Sequence, residues 1–412
     1  PPLLVGESVL LPGLYPPGPR RPGPALINPC SGCALSFVKT RVRPVVPRDP
    51  LLVVVGAAPG AEDEERGLPF SGAVGSFVRG ALATAGVDPT QVAFAYLTRC
   101  RTAVDDDPAW GRAEKRCRTY FSRDVEGPAP MLLLGLRPLR ALVDPKARLG
   151  AARGLWHKVD DRDAYSARDP AQFLAVADEG ARDALASEFR EDVARMADRV
   201  LGREPPSKIS IEVFDSPLSA RAYLERLAAC EEPWAFDIET YDGGALPARQ
   251  GVSGDPCHPD FRLRGVAVAT SSTSGAWVEC RGWEARVAEA REVLSPAFGS
   301  PAEKWAFNGH FDEEGLVYPG WVPAVRNRSG DGLLALLALS DGEHESLRLE
   351  YAVVNVLGER QYWNGIDKSR MRDVPTETAA RNAGGDACYT HQLCDLLHGR
   401  LARGEYFSWR KK

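Results

Sequence analysis

The sequence predicts an α/β protein with two domains, the first built on a parallel sheet and the second on a mixed sheet. Two apolar runs in the first half, LLVVVG (51–56) and MLLLG (131–135), have the length and composition of buried parallel strands. The segment GREPPSK (202–208), with two prolines, a glycine and charges, separates them from a second set of strands and helices. We therefore expect the domains to span residues 28–202 and 207–412.

The other elements of the first domain follow in chain order. Residues 1–27 are rich in proline, which predicts an extended arm without regular structure. Residues 72–86 predict a helix that ends at Gly86, and a short helix is expected to follow the second strand as far as Val143. Residues 180–201 alternate apolar and charged side chains with the period of an amphipathic helix.

The second domain begins with a strand, IEVF (211–214). The segment SPLSARAYLERLAAC (216–230) predicts a helix with Ser216 as its N-cap and a proline at its first position. WAFDIET (234–240) has the apolar content of a central strand, and residues 262–270 predict its hairpin neighbour. A hairpin beside parallel strands makes the expected sheet a mixed one.

The composition is that of a globular protein, with 44% hydrophobic and 26% charged residues. No apolar run approaches the roughly 18 residues of a membrane span and no signal sequence is evident, so we expect a cytoplasmic protein without a membrane partner. Nine cysteines in a long chain argue against a secreted disulfide framework. Residues 1–206 hold 28 basic and 26 acidic groups, a net charge of +2, whereas residues 207–412 hold 23 and 30, a net charge of −7. Such an acidic domain binds DNA poorly unless metal ions neutralise carboxylates.

Four carboxylates in the second half have a recognisable order. Asp237 and Glu239 lie two residues apart on one strand and so project from the same face. Asp312 belongs to NGHFD, which follows the strand-like KWAF, and Asp386 belongs to a late helix that opens near Pro375. Taken singly, charges at strand ends are usually only solvated.

In this order the motifs FDIET, NGHFD and the late aspartate resemble the DEDD-type 3′–5′ exonucleases, and most closely the proofreading domain of phage-type family-A DNA polymerases. The resemblance covers about residues 207–405 and implies a ribonuclease H-like domain that acts on single-stranded DNA 3′ ends. It implies two Mg²⁺ or Mn²⁺ ions held by Asp237, Glu239, Asp312 and Asp386, since these hard ions prefer carboxylate oxygens. A decayed site that no longer binds metal is the alternative.

One residue departs from the exonuclease pattern. The family has a tyrosine or a histidine just before the last aspartate to orient the attacking water, and Asn382 stands one helical turn before Asp386 here. Asparagine can hydrogen-bond a water but is shorter and not acidic, so an attenuated enzyme is expected. His310, His344 and His391 are possible substitutes, and each is equally readable as an ordinary surface or packing histidine.

Four cysteines in the first half, Cys30, Cys33, Cys100 and Cys117, combine a close pair with two distant members. Three interpretations remain open for them: buried free thiols, a zinc site or an iron–sulfur cluster. Their spacing resembles that of the family 4 iron–sulfur uracil-DNA glycosylases, over about residues 28–201. The segment PFSG (69–72) and the turn after the first strand resemble the same family. That resemblance implies that the four cysteines hold a [4Fe-4S] cluster.

The resemblance does not extend to the residues that perform the glycosylase reaction in the family. Ala57 stands where the family has its catalytic glutamate, and Tyr96 stands where an asparagine reads uracil. Asp169 replaces the histidine that stabilises the departing base, whereas the stacking residue Phe70 is kept. His157 is the only histidine of this half and lies outside the expected loop, so it is a weak candidate for a catalytic replacement.

We therefore expect a replication or proofreading 3′–5′ exonuclease with a vestigial base pocket in a domain that binds DNA or a polymerase partner. The polymerase module itself is not in the sequence, so the chain is either a fragment or a separate proofreading subunit, in the cytoplasm of a bacterial host if it is encoded by a phage. An active uracil-DNA glycosylase with an attached exonuclease is one alternative. A non-catalytic replisome scaffold is the other.

Overall fold

The structure is a computed structural model, and it describes residues 40–101, 108–204, 207–244, 254–340, 346–361 and 368–405, with residues 30, 32, 33, 35 and 366. The predicted N-terminal arm, residues 1–27, lies outside the described residues. The chain divides into two compact units, with the division after Glu204. They are called unit 1 and unit 2 below.

Unit 1 is built around a five-stranded sheet in the order β2-β1-β3-β5-β4. All neighbouring strands are parallel except β4, which forms an antiparallel hairpin with β5 at one edge. The predicted parallel sheet is confirmed, with this hairpin as an addition. The strands are β1 (Leu52–Gly56), β2 (Val92–Tyr96), β3 (Met131–Leu134), β4 (Trp156–Val159) and β5 (Arg162–Ala167).

Helices cover both faces of this sheet. The side chains of Leu52 and Val54 pack toward Leu82 and Phe189, while Val53 and Val55 pack toward Phe121 on the other face. Burial on both faces explains why β1 is apolar at every position. The helices are α1 (Ala61–Arg66), α2 (Ala73–Thr84), α3 (Pro108–Asp124), α4 (Leu136–Leu142), α5 (Leu149–Ala152), α6 (Pro170–Leu174) and α7 (Glu179–Val200).

Unit 2 is built around a six-stranded mixed sheet in the order β11-β10-β7-β8-β9-β6. Strands β7, β8 and β9 form an antiparallel meander, and β10 and β11 continue the sheet in parallel on the other side of β7. Counted from β7, this is the order 3-2-1-4-5 with an antiparallel second strand, which is the predicted ribonuclease H-like sheet. The strands are β6 (Ser210–Phe214), β7 (Trp234–Asp242), β8 (Phe261–Ala269), β9 (Ser274–Glu279), β10 (Lys304–Ala306) and β11 (Arg328–Asp331).

One long helix crosses a face of this sheet and brings the last predicted acid to it. Its small residues allow close approach, since a Cβ at Gly384 would lie 2.5 Å from Ile211. The opposite face buries Trp234, Phe236 and Phe298. The helices of unit 2 are α8 (Arg221–Ala228), α9 (Val287–Phe298), α10 (Gly309–Val317), α11 (Gly332–Leu339), α12 (Leu349–Asn355) and α13 (Thr376–Arg403).

The start of α8 differs from the prediction. The helix begins at Arg221 with Ala220 in the N-cap position, so Ser216 does not cap it. Ser216 instead accepts a hydrogen bond from the backbone N–H of Ser219, at 3.2 Å, in the turn that precedes the helix. The sequence pattern was read correctly as a local serine–backbone hydrogen bond but was assigned to the wrong turn.

No helix among the described residues is long and apolar enough to cross a membrane.

Candidate functional site

Three acids converge at the middle of β7 in unit 2. The ligand oxygens of Asp237, Glu239 and Asp386 all lie within 4.8 Å of one another. Asp237 and Glu239 share one face of β7 because side chains alternate along a strand, and α13 brings Asp386 to that face. Within the described part of the chain, no other trio of histidine, cysteine or carboxylate side chains comes this close. The arrangement suits a divalent cation with carboxylate ligands.

The fourth predicted acid lies beside this trio rather than within it. Asp312 is buried on α10, and its Oδ1 accepts a hydrogen bond of 3.3 Å from the backbone N–H of Ile238. It lines the same cavity as Asp237 and Glu239, with a volume of about 270 Å³. Phe307 and Phe311 supply the apolar part of its wall.

The placement of Asp312 depends on a sharp turn between β10 and α10. Asn308 has a φ of 63°, in the left-handed region that asparagine tolerates better than most residues. Asp331 accepts hydrogen bonds from the backbone N–H groups of Asn308, at 3.1 Å, and Gly309, at 2.9 Å. It also caps α11 through Leu333. These roles of Asp331 were not identified from the sequence.

Asn382 lies on the same face of α13 as Asp386, as the one-turn spacing predicts. Its side chain is buried, and Nδ2 lies 3.4 Å from Glu239 Oε1 and 3.5 Å from Asp386 Oδ2. The amide therefore donates toward two of the three converging acids. It contributes no ionisable group to the site.

None of the described histidines joins the acids. His310 is 77% exposed and lies 3.2 Å from Glu314. His391 packs against the ring of Trp305. His157, in unit 1, contacts the carbonyl oxygen of Ala152 at 3.3 Å. His344 lies outside the described residues.

The base pocket predicted in unit 1 is occupied by a side chain of the protein itself. The ring of Tyr96 stacks on Phe70 with 4.6 Å between ring centroids and an interplanar angle of 12°. Its hydroxyl accepts a hydrogen bond from the backbone N–H of Phe70, at 3.2 Å. The same hydroxyl donates to Asp63 Oδ2, at 2.6 Å. One face of Phe70 and its N–H are thus already used.

Asp63 is the centre of this network and was not identified from the sequence. Besides Tyr96, its carboxylate accepts hydrogen bonds from the backbone N–H of Gly60, at 2.9 Å, and from the N–H and hydroxyl of Ser71, at 2.6 and 3.0 Å. The available signal was its spacing from Gly60, since an acid at the third helical position commonly reaches back to the N-cap N–H.

The surroundings of Tyr96 also make its phenol less acidic. Burial, with the charge of Asp63 as the second cause, raises the pKa of Tyr96 well above its usual value. The phenol therefore remains a hydrogen-bond donor to Asp63 at neutral pH. Ala57 lies at the end of β1, where its carbonyl accepts from the N–H of Thr98.

Asp169 has a local structural role. Its Oδ1 accepts a hydrogen bond of 2.9 Å from the N–H of Ala171 and so caps α6. It also lies against Gly135, whose φ of 84° and lack of a side chain allow the contact. An acid at an N-cap is a common stabilising feature.

The four cysteines of the first half line one cavity of about 310 Å³. No three of their sulfurs, all within the described residues, lie within 4.8 Å of one another. Burial, and next the neighbouring Cys117, raises the pKa of Cys100 to about 11. The cavity wall also includes Arg41, Arg43, Arg99 and Tyr120.

Two arginines in or near this cavity, Arg99 and Arg118, are committed to the fold. Arg99 forms an ion pair with Asp124 and stacks on Tyr120 at 4.3 Å. Arg118 donates to the carbonyl oxygen of Ala141 at 2.5 Å. Arg101 remains nearly half exposed and lies 3.6 Å from Glu64. Of these three, Arg101 is therefore the best placed to contact a phosphate.

Unit 2 has the strand order of a ribonuclease H-like fold, with an acidic site on β7. Unit 1 is matched by the family model of the uracil-DNA glycosylase superfamily over residues 44–194. The chain belongs to that superfamily through unit 1.

Two curated relatives of unit 1 are both named type-4 uracil-DNA glycosylases. The protein of Archaeoglobus fulgidus is 32% identical over 111 residues, which cover 27% of this chain and 55% of that protein. The protein of Pyrobaculum aerophilum is 30% identical over 136 residues, which cover 31% of this chain and 69% of that protein. This chain thus spans only part of each relative.

Among solved structures, the catalytic core of RRP6 from Trypanosoma brucei is similar at 19% identity, with a TM-score of 0.36. The similarity covers 48% of this chain and 49% of that one. At this level it carries no argument about activity, so the function of unit 2 is argued from its own residues.

Proposed function

We propose that unit 2 is a proofreading-type 3′–5′ exonuclease that removes nucleotides from single-stranded DNA ends with two Mg²⁺ or Mn²⁺ ions. The observation that carries this proposal is the convergence of Asp237, Glu239 and Asp386 within 4.8 Å beside the buried Asp312. Carboxylates brought this close repel one another unless a cation lies between them, because like charges at short range are costly.

The donor set fits the proposed ions. Asp237, Glu239 and Asp386 would hold one ion, and Asp237 and Asp312 a second, with hard oxygen ligands throughout. Such a pair of ions supplies an activated water and compensates charge on the attacking and leaving oxygens. Two divalent cations also add four positive charges, which offsets most of the −7 carried by residues 207–412.

The side chain of Asn382 indicates a slow exonuclease reaction. Its amide orients Glu239 and Asp386 through hydrogen bonds, at 3.4 and 3.5 Å, but cannot accept a proton from water. General-base assistance from this position is therefore absent. The same residue favours the second candidate function, a scaffold that binds 3′ ends without cutting them.

We further propose that unit 1 does not excise bases and instead binds DNA or a polymerase partner. Flipping a base out of the duplex costs free energy. This cost is normally offset by stacking and by hydrogen bonds to the edge of the base. Here Tyr96 already stacks on Phe70 and uses its N–H. Ala57 supplies no carboxylate to hold a water.

We also propose a [4Fe-4S] cluster held by Cys30, Cys33, Cys100 and Cys117. All four line one cavity, which supports a shared ligand group over independent thiols. The cavity of about 310 Å³ has room for a group larger than a single zinc ion, whose Zn–S bonds are about 2.3 Å.

The test is degradation of a 5′-labelled single-stranded DNA with Mg²⁺ or Mn²⁺. The full chain should shorten it from the 3′ end, and Asp237→Asn should abolish this, with a loss larger than the ~10–100-fold that an outer-shell partner costs. Glu289→Gln, an exposed acid on α9, is the matched control and should behave as the parent. An RNA of the same sequence tests whether the substrate is DNA.

The alternatives give different results in the same assay. Metal-dependent binding of the 3′ end without shortening would favour the scaffold. Uracil release from a uracil-containing strand would favour an active glycosylase. We expect no uracil release from the parent, and none from Ala57→Glu, because Tyr96 still fills the pocket. Equal degradation by the parent and Asp237→Asn would overturn the exonuclease proposal.

A further inference from the structure

A β-bulge lies next to the acidic site, in the strand that pairs with β7. Glu239 pairs with Gly265 and Thr240 pairs with Leu263, so Arg264 has no partner on β7. Bulges are frequent beside active sites, where they redirect a side chain. The Arg264 carbonyl accepts from the N–H groups of Cys280 and Arg281 at 2.9 and 3.1 Å, which anchors the bulge to the end of β9.

The side chain of Arg264 is fully buried and reaches the segment that leads into α13. Nη1 donates to the carbonyl oxygens of Met371, at 3.3 Å, and Arg372, at 3.0 Å, and Nη2 donates to that of Val374, at 3.0 Å. Three carbonyls that precede the helix are thus held by one planar group. Lysine cannot reproduce this, because its ammonium is a compact donor on a flexible stem.

An acid completes the arrangement. Glu279 Oε1 lies 3.0 Å from Nε of Arg264, and Glu279 Oε2 accepts a hydrogen bond of 3.0 Å from the hydroxyl of Thr376, the first residue of α13. The pair therefore connects the bulge to the first turn of the helix. Pro375, in the N-cap position, makes no side-chain cap hydrogen bond that could do the same.

We propose that Arg264 is a positioning residue for the metal site, and the proposal rests on the proposed function of unit 2. Arg264 joins β8, the strand that pairs with the Glu239 strand β7, to the entry of the helix that carries Asp386. Asp386 lies ten residues into α13, about 15 Å along its axis at 1.5 Å per residue. The orientation of α13 is set at its start. It therefore determines whether Asp386 lies close enough to Asp237 and Glu239 to bind the same metal ion.

The test compares Mn²⁺ affinity in Arg264→Lys and Thr376→Val of the full chain, by titration calorimetry or the loss of the free Mn²⁺ EPR signal. Outer-shell partners of metal sites are worth about 10–100-fold in affinity, and we expect Arg264→Lys to fall in that range and Thr376→Val at its lower end. DNA degradation should recover in part at saturating Mn²⁺, as expected for misplaced ligands. Arg286→Lys, at an exposed ion pair, and the exposed Thr378→Val are the matched controls.

A purely stabilising role for Arg264 predicts a lower melting temperature with unchanged Mn²⁺ affinity, and that result would overturn the proposal. If Arg264→Lys does not fold, Thr376→Val decides by the same affinity measurement. Failure of the proposed function looks different: the parent would bind Mn²⁺ through Asp237 but leave DNA intact. The affinities of the variants would then still decide the role of Arg264.

Discussion

The base pocket of unit 1 and the acidic pocket of unit 2 both contain buried carboxylates, but they use them differently. In unit 1, Asp63 accepts four hydrogen bonds from Gly60, Ser71 and Tyr96, all donors of its own fold. In unit 2, Asp237, Glu239 and Asp386 are turned toward one another beside a cavity of about 270 Å³. In unit 1 a single carboxylate holds a turn and a side chain of its own fold, whereas in unit 2 three carboxylates share one site.

A second contrast concerns the residue that departs from the family pattern in each pocket. Tyr96 is larger than the asparagine it replaces and fills the pocket of unit 1. Asn382 is smaller than the tyrosine it replaces and leaves the acids of unit 2 in place. In our proposal the first change blocks a ligand, whereas the second removes the group that orients the attacking water from a site that keeps its proposed metal ligands.

The largest effect that can sharpen this contrast is expected at position 382. Asn382→Tyr should raise the rate of DNA degradation by roughly 10²–10⁴-fold, the usual value of general acid–base assistance. Single-turnover degradation at saturating Mn²⁺ measures it. The double variant Asn382→Tyr/Asp237→Asn is the control and should show no gain. A slower single variant would mean that the buried Asn382 is fitted to a different arrangement.

The cysteine cavity gives the next largest effect and concerns unit 1 alone. The purified chain should be brown and contain iron, and Cys100→Ser should lose both colour and iron. The free energy of unfolding of unit 1 should fall as well, because a group bound only by the folded state stabilises that state. Cys257→Ser, at an exposed cysteine, is the matched control. A colourless parent that contains zinc would contradict the cluster.

A smaller effect is expected when the hydrogen-bond network that fills the base pocket is broken. Tyr96→Phe keeps the stacked ring but removes the donor to Asp63, and a buried acceptor without its donor costs about 1–3 kcal/mol. Urea denaturation of the two variants Tyr96→Phe and Tyr318→Phe measures this, since Tyr318 is 58% exposed. An equal effect of both substitutions would show that the Tyr96 hydroxyl does not hold Asp63.

The smallest effect is a pH dependence of unit 2. Burial lowers the pKa of His391 and of His398, which flank Trp305. As the pH falls below about 6.5, these histidines bind protons more readily in the unfolded state than in the folded state. The free energy of unfolding should therefore decrease from pH 7.5 to pH 5.5. Thermal unfolding followed by tryptophan fluorescence should show a weaker decrease in His391→Asn than in the parent. The exposed His310→Asn should retain the full decrease.

Much of the architecture was predictable because it depends on local patterns. The apolar runs at 51–56 and 131–135 became β1 and β3, and residues 234–240 became β7 with its predicted hairpin partner. The helix at 180–201 was predicted to within one residue at each end. The start of α8 was not, because Ser216 signals a serine–backbone hydrogen bond without specifying which turn uses it.

The sequence by itself determined the two-domain α/β class, the order of the four acids and the grouping of the four cysteines, because these depend on residue type and spacing. Only the tertiary structure decided that Tyr96 lies on Phe70, that Asp63 is consumed by the fold and that Arg264 holds the entry to α13. Tyr96 and Asp63 are 33 residues apart and Arg264 and Val374 are 110 apart. Hydrogen bonds over such separations depend on how strands and helices pack, which no local periodicity encodes.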